Sequence, residues 1–399
     1  MTIVEKSRHF VELVLKGIER KMKKKIQLFI FIIITLNLFT ISALAVDNEM
    51  IKEKKEDVMS LSDNDFLDNE IFSTNEAVAF SNSFSNITNT DARLYKTKND
   101  FEKSKIYNEY SILQKMKFSG SYIIPGLKNT NVLGKSCTTM CPQGICFTSK
   151  YLLISAYDTN LKVNSVIYVL DKVNKKYLTA IILENSSHVG GLAYDGYNIW
   201  VCNPTSSNYK SVGLIKETVI NNAVKQGKDN IRINYAVKRN VDITADFMTY
   251  YNGKLYVGEC NEPGQGDGFV YEYSISNKKE SSPSLKKKNK MYIPESTQGI
   301  AMTGDGTLVV SITYGYTIGK ATTKSELRTY KPSWDKPNSK GIISKNKRLV
   351  LKRIPLMAQN VVVCGTNTFI SFESATYKYR NCPYKMDRIA KFQTTELIK

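Results

Sequence analysis

The chain of 399 residues is long enough for one large or two ordinary domains, and its 42% of hydrophobic residues can fill a sizeable core. Its net charge of +19 lies in the second part of the chain: residues 101–399 carry 42 basic and 22 acidic side chains, and residues 1–100 carry 14 and 15. This charge favours anionic partners such as a cell-wall polymer or another anionic polymer, although a Lys-rich solvated surface is the simpler alternative. The longest basic run, Lys286–Lys288 with Lys290, is expected in a Ser-rich loop without interleaved aromatics, which argues against nucleic acid.

A secretory signal is predicted at residues 22–45. The basic residues Lys23–Lys25 precede an apolar run, and Ala43–Ala45 fits an A-x-A cleavage site. Residues 1–21 are then an upstream extension or a cytoplasmic tail, and the run to Val46, if uncleaved, is long enough for a membrane anchor. We expect a secreted, extracellular protein, with a membrane-anchored one as the alternative.

Residues 46–105 are rich in Asp, Asn, Ser and Glu without a sustained hydrophobic period, which predicts a disordered polar linker. From residue 106 the composition changes, and we predict one β domain over 106–399. Its first segment, Tyr110–Leu127, has the pattern of one or two strands that end at Pro125-Gly126.

Five similar β-hairpins follow, beginning 47 to 61 residues apart. They cover Pro142–Ser155, Val189–Cys202, Thr244–Gly258, Thr297–Ser311 and Ala358–Ser371. Three of them contain an Asp-Gly or Asn-Gly turn, which is typical of tight hairpins. A repeat of this length with several strands per unit predicts an all-β β-propeller, most simply five-bladed, with a six-bladed ring as the alternative. We expect the N-terminal strand Phe118–Ile124 to complete the last blade, after the strand Met386–Phe392, and so to close the ring.

Two positions of the repeat are predicted to carry its packing, because the inner strands of a propeller crowd the axis. The second strand closes on a small residue in every copy, namely Ser155, Cys202, Gly258, Ser311 and Ser371. The first strand opens with Gly144, Gly191, Asp246, Gly299 and Asn360. Glycine there permits close backbone approach, whereas Asp246 and Asn360 break the pattern with polar side chains.

Three stretches carry a resemblance to a known family: PQGICFTSKYLLISAYD at 142–158, FISFESATYKYR at 369–380 and MDRI at 386–389. They resemble uncharacterised secreted propeller-like proteins of Gram-positive bacteria, in which the last hairpin usually has Glu-Gly where this chain has Gln359-Asn360. More distantly, the hairpins that begin with QGI or a similar sequence resemble glutaminyl cyclotransferases and lactonase-type propellers. The resemblance implies the fold more than an activity.

Ligands of propellers usually gather at the mouth of the central channel, where the hairpin alignment places a polar ring. Its first group, at the start of the innermost strands, is Gln143, His188, Asp246, Gln298 and Gln359. Its second group, after the neighbouring strands, is Tyr157, Asp158, Asn203, Glu259, Asn261, Glu262, Tyr314, Glu373 and Ser374. Arg380, with Lys378 and Arg388, offers a place for a carboxylate or phosphate, although Arg388 is also expected to pair with an acid such as Asp387.

Two features of this ring suggest chemistry. Asp246, Glu259 and Glu373 carry the hard oxygen ligands that Ca²⁺ prefers, while polar residues around ordered water are the alternative. His188 is the one histidine after the signal, so a proton-transfer role would fall to it or to a carboxylate; otherwise it is a turn residue. Since no P-loop, dinucleotide fingerprint, HExxH or GxSxG motif occurs, we predict a monomeric binding module for a small molecule, peptide or anionic wall polymer. A metal-assisted enzyme, such as a lactonase or cyclotransferase, is the alternative.

Seven cysteines are present, and an odd count in an exported chain implies at least one free thiol. The spacing of Cys137 and Cys141 favours a disulfide that involves one of them over a soft-metal site. Cys146 and Cys202 are expected to lie in the core.

Overall fold

A computed structural model describes residues 93–315, 324–331 and 348–399. The predicted extension at 1–21, the predicted signal peptide or anchor at 22–45 and most of the predicted linker lie outside the described residues. Among the helices within those ranges, none combines the length and the apolar character that a bilayer span requires.

The described chain begins with a helical segment. It comprises α1 (Lys98–Glu102), α2 (Lys105–Glu109) and two 3-10 turns (Ser111–Lys115 and Phe118–Gly120), followed by the short strands β1 (Tyr122–Ile123), β2 (Thr130–Val132) and β3 (Lys135–Cys137). Thr97 and Asp100 form a capping box on α1. Phe101 is buried in a hydrophobic cluster with Phe372 and other strand residues. Two short helices thus lie partly within the stretch where the sequence predicts a linker up to residue 105, and a capped helix and a buried aromatic side chain offset the entropy cost of ordering the chain there.

Five small sheets form a ring, as the repeat predicts. Each inner strand contacts the inner strand of the next sheet, and the last contacts the first. Blade 1 contains β4 (Met140–Phe147), β5 (Tyr151–Asp158), β6 (Val166–Asp171) and β7 (Tyr177–Ile182). Blade 2 contains β8 (Leu192–Tyr194), β9 (Asn198–Cys202), β10 (Ser211–Lys216) and β12 (Val237–Asn240). Between β10 and β12 lie α3 (Glu217–Lys225) and β11 (Ile231–Arg232), and β11 pairs in parallel with β7 of blade 1.

The remaining blades continue the ring, and the protein is a five-bladed β-propeller. Blade 3 contains β13 (Phe247–Tyr251), β14 (Lys254–Glu259), β15 (Gly268–Ser276) and β16 (Ser284–Ile293). Blade 4 contains β17 (Thr297–Met302), β18 (Leu308–Thr313), β19 (Ser325–Tyr330) and β20 (Arg348–Ile354). Blade 5 contains β21 (Ala358–Cys364), β22 (Asn367–Phe372) and β23 (Arg388–Gln393), with a 3-10 turn (Tyr377–Tyr379) before β23 and α4 (Thr394–Leu397) after it.

The N-terminal strand closes the ring. β1 pairs antiparallel with β23, with Tyr122 opposite Ile389 and Ile123 opposite Arg388. The closing strand is shorter than the predicted Phe118–Ile124, because its first residues form a 3-10 turn. The strand pattern predicted from Tyr110 likewise begins with a 3-10 turn, Ser111–Lys115. Closure by pairing removes the free edge of blade 5.

The two packing positions of the repeat have the predicted physical basis. A Cβ placed on Gly144, Gly191 or Gly299 would lie 2.5 to 2.8 Å from backbone atoms of the next blade. At Gly258 an added Cβ would lie 2.0 Å from the ring of Phe247, its partner on the adjacent strand of the same blade. Glycine is therefore required at the first three positions by the neighbouring blade and at Gly258 by its own blade.

Two of the three serines at this position of the second strand, Ser155 and Ser371, also join neighbouring blades. Ser155 Oγ accepts a hydrogen bond from the Gly144 N–H (2.9 Å) and donates to the Val189 carbonyl in blade 2 (2.7 Å). Ser371 does the same across the ring closure, where it donates to the Gln143 carbonyl (3.0 Å). These hydrogen bonds, which the packing argument does not include, satisfy backbone groups that are buried at the axis.

All seven cysteines are free. Cys146 and Cys202 are buried in the core, in agreement with the prediction, but the disulfide predicted for Cys137 or Cys141 is not formed. Cys137 lies 3.6 Å from Thr139 Oγ1, and Cys141 bonds to a carboxylate described below.

The basic run is also placed differently from the prediction. Lys286–Lys288 and Lys290 lie on β16, the outermost strand of blade 3, and not in a loop. The neighbouring strand brings Phe269 and Tyr271 beside them. Strand pairing thus places aromatic side chains beside these lysines, although none is interleaved with them in the linear sequence.

Candidate functional site at the channel mouth

A cavity of about 330 Å³ lies at the end of the channel where the inner strands begin and their neighbours end. Residues from all five blades or their connecting segments line it: Tyr157, His188, Asp246, Cys260, Glu262, Gln298, Thr313, Gly315, Met357, Gln359, Glu373, Lys378 and Tyr379. The structure thus brings together eight of the residues that the sequence nominates, which are Tyr157, His188, Asp246, Glu262, Gln298, Gln359, Glu373 and Lys378.

Irregularities at the start of three inner strands position the glutamines. The register shifts between Pro142 and Ile145 in β4, beside Gln298 in β17, and after Ala358 in β21 next to Gln359. Such a bulge turns a side chain out of the regular alternation. Gln298 and Gln359 therefore reach the cavity from the ends of their strands.

Glu373 is the centre of a buried polar network between blades 5 and 1. Cys141 Sγ donates to Glu373 Oε1 at 3.0 Å, and Gln143 Nε2 donates to the same oxygen. Gln143, which the alignment places at the mouth, is 1% exposed and is not among the residues that line the cavity, and its amide donates to Glu373. Burial is the main cause that raises the pKa of Tyr379, and the nearby Glu373 is the second. The hydroxyl of Tyr379 also forms a hydrogen bond with Glu373. Among the described residues the partners of this carboxylate are thus neutral donors, and no cation forms an ion pair with it.

Tyr157 and His188 form the wall next to Glu373. Their rings meet edge to face with centroids 4.8 Å apart. Burial lowers the pKa of His188, Glu373 opposes this shift and Lys378 adds to it. Burial, with Cys141 and Glu373 nearby, raises the pKa of Tyr157. At neutral pH this wall is therefore a neutral imidazole beside a neutral phenol.

Asp246 forms the opposite side of the cavity. Its Oδ2 accepts a hydrogen bond from the Cys260 N–H at 2.8 Å. Burial raises the pKa of Asp246 to about 6; the hydrogen bond opposes this shift, and Glu259 and Glu262 add to it. Asp246 therefore changes its charge close to neutral pH.

Cys260 lies between Asp246 and Gln298, and its sulfur accepts a hydrogen bond from Gln298 Nε2 at 3.3 Å. Burial, with Asp246 and Glu262 nearby, raises the pKa of Cys260 to about 12. A thiol of this kind is protonated and not a strong nucleophile.

Three of the other candidates stabilise turns instead of lining the cavity. Asp158 accepts hydrogen bonds from the backbone of Asn160 (3.0 Å) and Lys162 (2.8 Å). Burial opposes its ionisation, but these bonds and one from Thr139 lower the pKa of Asp158. Asn203 has a left-handed backbone (φ 50°), and Asn261 donates to two carbonyls of its own loop. Asn and Asp are common in such turns because their side chains bond to nearby backbone groups.

Tyr314, Arg380 and Glu259 also lie outside the cavity lining. The hydroxyl of Tyr314 accepts a hydrogen bond from the Arg328 guanidinium (3.0 Å), and Arg380 is exposed and stacked on Tyr377 at 4.5 Å. Glu259 ends β14 and acts on the site only through its charge beside Asp246.

The three residues nominated as metal ligands are not assembled. Only Asp246 and Glu373 line the cavity. Across residues 93–315, 324–331 and 348–399, no group of three His, Cys, Asp or Glu side chains is placed to hold a metal ion.

The sequence reasoning missed several lining residues. Cys260 was not considered as a site residue, although it follows β14 at the position equivalent to other members of the ring. Met357 and Thr313 carry no chemical signal in the sequence. Tyr379 reaches the cavity from the 3-10 turn before β23, and such a turn lies outside the repeat on which the alignment depends.

A comparison with protein-family models gives no match, and a comparison with curated proteins gives none either.

Proposed function

We propose that this propeller is a binding module whose channel mouth takes a small molecule or a peptide that carries an amino or ammonium group. The observation that carries the proposal is the charge of the cavity wall. Among the described lining residues, Asp246, Glu262 and Glu373 contribute three carboxyl groups, against the one ammonium group of Lys378. The cavity is therefore acidic although the domain around it is basic.

The aromatic wall fits the same kind of ligand. Tyr157 and Tyr379 flank Glu373, and an ammonium group over such rings gains about 0.5 to 2 kcal/mol, depending on its desolvation. Lys378 already makes this contact, with its ammonium group 5.2 Å from the centroid of Tyr379. A ligand ammonium group would use the same ring while it pairs with the carboxylate.

The size of the cavity favours a small ligand or one end of a chain. A volume of about 330 Å³ lies near the lower limit of ordinary ligand pockets. Gln298 and Gln359 add hydrogen-bonding amides that would orient a neutral polar group. We further propose that the protein works outside the cell, on the strength of the predicted signal at residues 22–45.

Matched probes test the role of charge. We expect 2-phenylethylamine to bind the purified protein at least about tenfold more tightly than 2-phenylethanol, which has nearly the same shape without the charge. Isothermal titration calorimetry measures both, with 3-phenylpropanoate as the anionic probe. Glu373→Gln should remove the preference for the amine, whereas Glu280→Gln, at an exposed loop residue, should retain it. Equal affinity for amine and alcohol, or an amine preference that survives in Glu373→Gln, would refute the proposal.

One observation favours a second candidate function, an enzyme that uses a carboxylate as general base. Asp246 has a pKa of about 6, and a base whose pKa is near the working pH is the most effective. Lactones and glutaminyl peptides are the substrates to test, in line with the lactonase and cyclotransferase alternatives. Turnover that is lost in Asp246→Asn but retained in Glu259→Gln would support it; absence of turnover in the unmodified protein would exclude it for these substrates.

A further inference from the structure

The outer edge of blade 3 carries a cluster of cations and aromatic rings, which we call the basic edge. It consists of Lys286, Lys287, Lys288, Lys290 and Tyr292 on β16, with Phe269 and Tyr271 on β15. The four lysines are exposed, and the three aromatic side chains are half-buried.

A bulge aligns two of these lysines on one face. Tyr271 is opposite Lys290 and Tyr273 is opposite Lys287, so β16 advances by three residues where β15 advances by two. In a regular strand, residues three apart point to opposite faces, and the bulge cancels this alternation. Both ammonium groups consequently lie over the ring of Tyr271, at 4.7 and 5.9 Å.

The rings hold Lys290 in place. Its ammonium group lies 3.6 Å from the centroid of Phe269 and 5.1 Å from that of Tyr292, and these two rings contact each other edge to face. Such contacts limit the freedom of a long side chain, so less entropy is lost when the ammonium group binds an anion.

The charge of the basic edge is largely uncompensated. The ion pairs of this region join Lys287 to Asp242 (3.0 Å) and Lys254 to Glu272 (2.8 Å). Lys286, Lys288 and Lys290 have no carboxylate partner among the described residues. Three positive charges on one edge strand, of which that of Lys290 is held by aromatic rings, therefore remain available to an outside partner.

We propose that the basic edge binds a linear acidic polysaccharide. Because β16 is the edge strand of blade 3, the cations on both of its faces, spaced by roughly 3.3 Å per residue along the strand, are open to a chain with repeated negative charges. Several weak contacts on one chain add up through effective concentration. Phe269, Tyr271 and Tyr292 are half-buried, and their exposed parts beside the cations favour a sugar polymer over a bare phosphate chain, because the C–H groups of a pyranose are apolar and a phosphate chain has none. This site is separate from the acidic mouth and does not depend on the function proposed for it.

Lysines on an edge strand have another possible role, which is to prevent edge-to-edge aggregation. Charge reversal distinguishes the two roles, because glutamate also protects an edge but repels a polyanion. The test variant is Lys286→Glu/Lys288→Glu/Lys290→Glu, which leaves the pair of Lys287 with Asp242 intact. The control variant is Lys128→Glu/Lys150→Glu/Lys225→Glu, at three exposed lysines outside blade 3, with the same change in net charge.

The probes are polygalacturonate, neutral dextran and inorganic polyphosphate, and the readout is the affinity of the purified protein by biolayer interferometry at several salt concentrations. We expect salt-sensitive binding of polygalacturonate, no binding of dextran and weaker binding of polyphosphate. The test variant should bind polygalacturonate at least about tenfold more weakly, and the control variant within about threefold of the unmodified protein.

Equal losses in the two variants would show that only net charge matters and would overturn the proposal. Polyphosphate binding as tight as that of polygalacturonate would also overturn it. If gel filtration shows that the test variant is aggregated, Lys290→Gln replaces it, and we expect this variant to bind polygalacturonate about two- to fivefold more weakly. Unchanged affinity in Lys290→Gln would refute the site. Amine binding at the channel mouth should be unchanged in every variant.

Discussion

Replacement of Gly144 by alanine is the sharpest test of how blades 1 and 2 meet at the axis. The new methyl group would lie 2.6 Å from the Leu192 nitrogen and 2.7 Å from Cα and the carbonyl carbon of Gly191. Non-bonded heavy atoms prefer separations of about 3.5 to 4.0 Å. The atoms in the way are backbone, so no side chain can rotate aside, and the two blades must separate by roughly 1 Å at this point.

The expected loss of stability follows from two costs. Overpacking of a well-packed interior costs about 1 to 3 kcal/mol. Separation of the blades also stretches the 2.7 Å hydrogen bond from Ser155 to the Val189 carbonyl, and a weakened buried hydrogen bond costs about 1 kcal/mol more. We therefore expect the free energy of unfolding to fall by about 2 to 4 kcal/mol. For a domain of roughly 300 residues the midpoint of thermal unfolding should fall by about 3 to 6 °C.

Gly304→Ala is the matched control. A Cβ at Gly304 would have no atom within 4 Å, so the change should be neutral or slightly stabilising, by up to about 1 kcal/mol. Urea and thermal unfolding monitored by circular dichroism measure both variants. If Gly144→Ala and Gly304→Ala unfold at the same midpoint, the blades are not in contact as described, and the argument from close approach fails.

Two further predictions concern the ring closure and the mouth. Ser371→Ala removes the acceptor of the Asn360 N–H (2.9 Å) and the donor to the Gln143 carbonyl (3.0 Å), so the free energy of unfolding in urea should fall by about 1 to 3 kcal/mol. Ser311→Ala should be nearly neutral, because the hydroxyl of Ser311 has no partner among the described residues. Equal losses of stability in the two variants would contradict the role of Ser371. The pKa of Asp246 is raised from 3.8 in the unfolded chain to about 6 in the fold, so the folded state binds the extra proton between these values and the free energy of unfolding should decrease as the pH rises through this window. Asp246→Asn should remove this decrease and be more stable than the unmodified protein at pH 7, and an unchanged pH profile of urea midpoints would show that Asp246 is not the titrating group.

The sequence by itself determines the repeat and the packing rules at the axis. Alternating apolar residues and Asn-Gly or Asp-Gly turns specify hairpins through local chemistry alone, and five copies suffice to predict the ring. The need for small residues at Gly144 and Ser155 can also be predicted from the sequence, because a steric requirement that recurs in the blades selects small residues at equivalent positions of the repeat. The pairing of β1 with β23 follows from the missing strand of the last blade.

Only the tertiary structure decides which polar residues share the mouth. Gln143 and Gln359 occupy equivalent positions of the repeat, yet the side chain of Gln143 donates a hydrogen bond to Glu373, which lies near the other end of the chain. Tyr379 joins that site through a 3-10 turn that no repeat marks. The basic edge needs a bulge between β15 and β16 before its lysines meet Phe269 and Tyr271. Local patterns set where strands form, whereas the direction of each side chain and its partners depend on pairings between segments that are distant in the sequence, and those pairings decide the chemistry of the site.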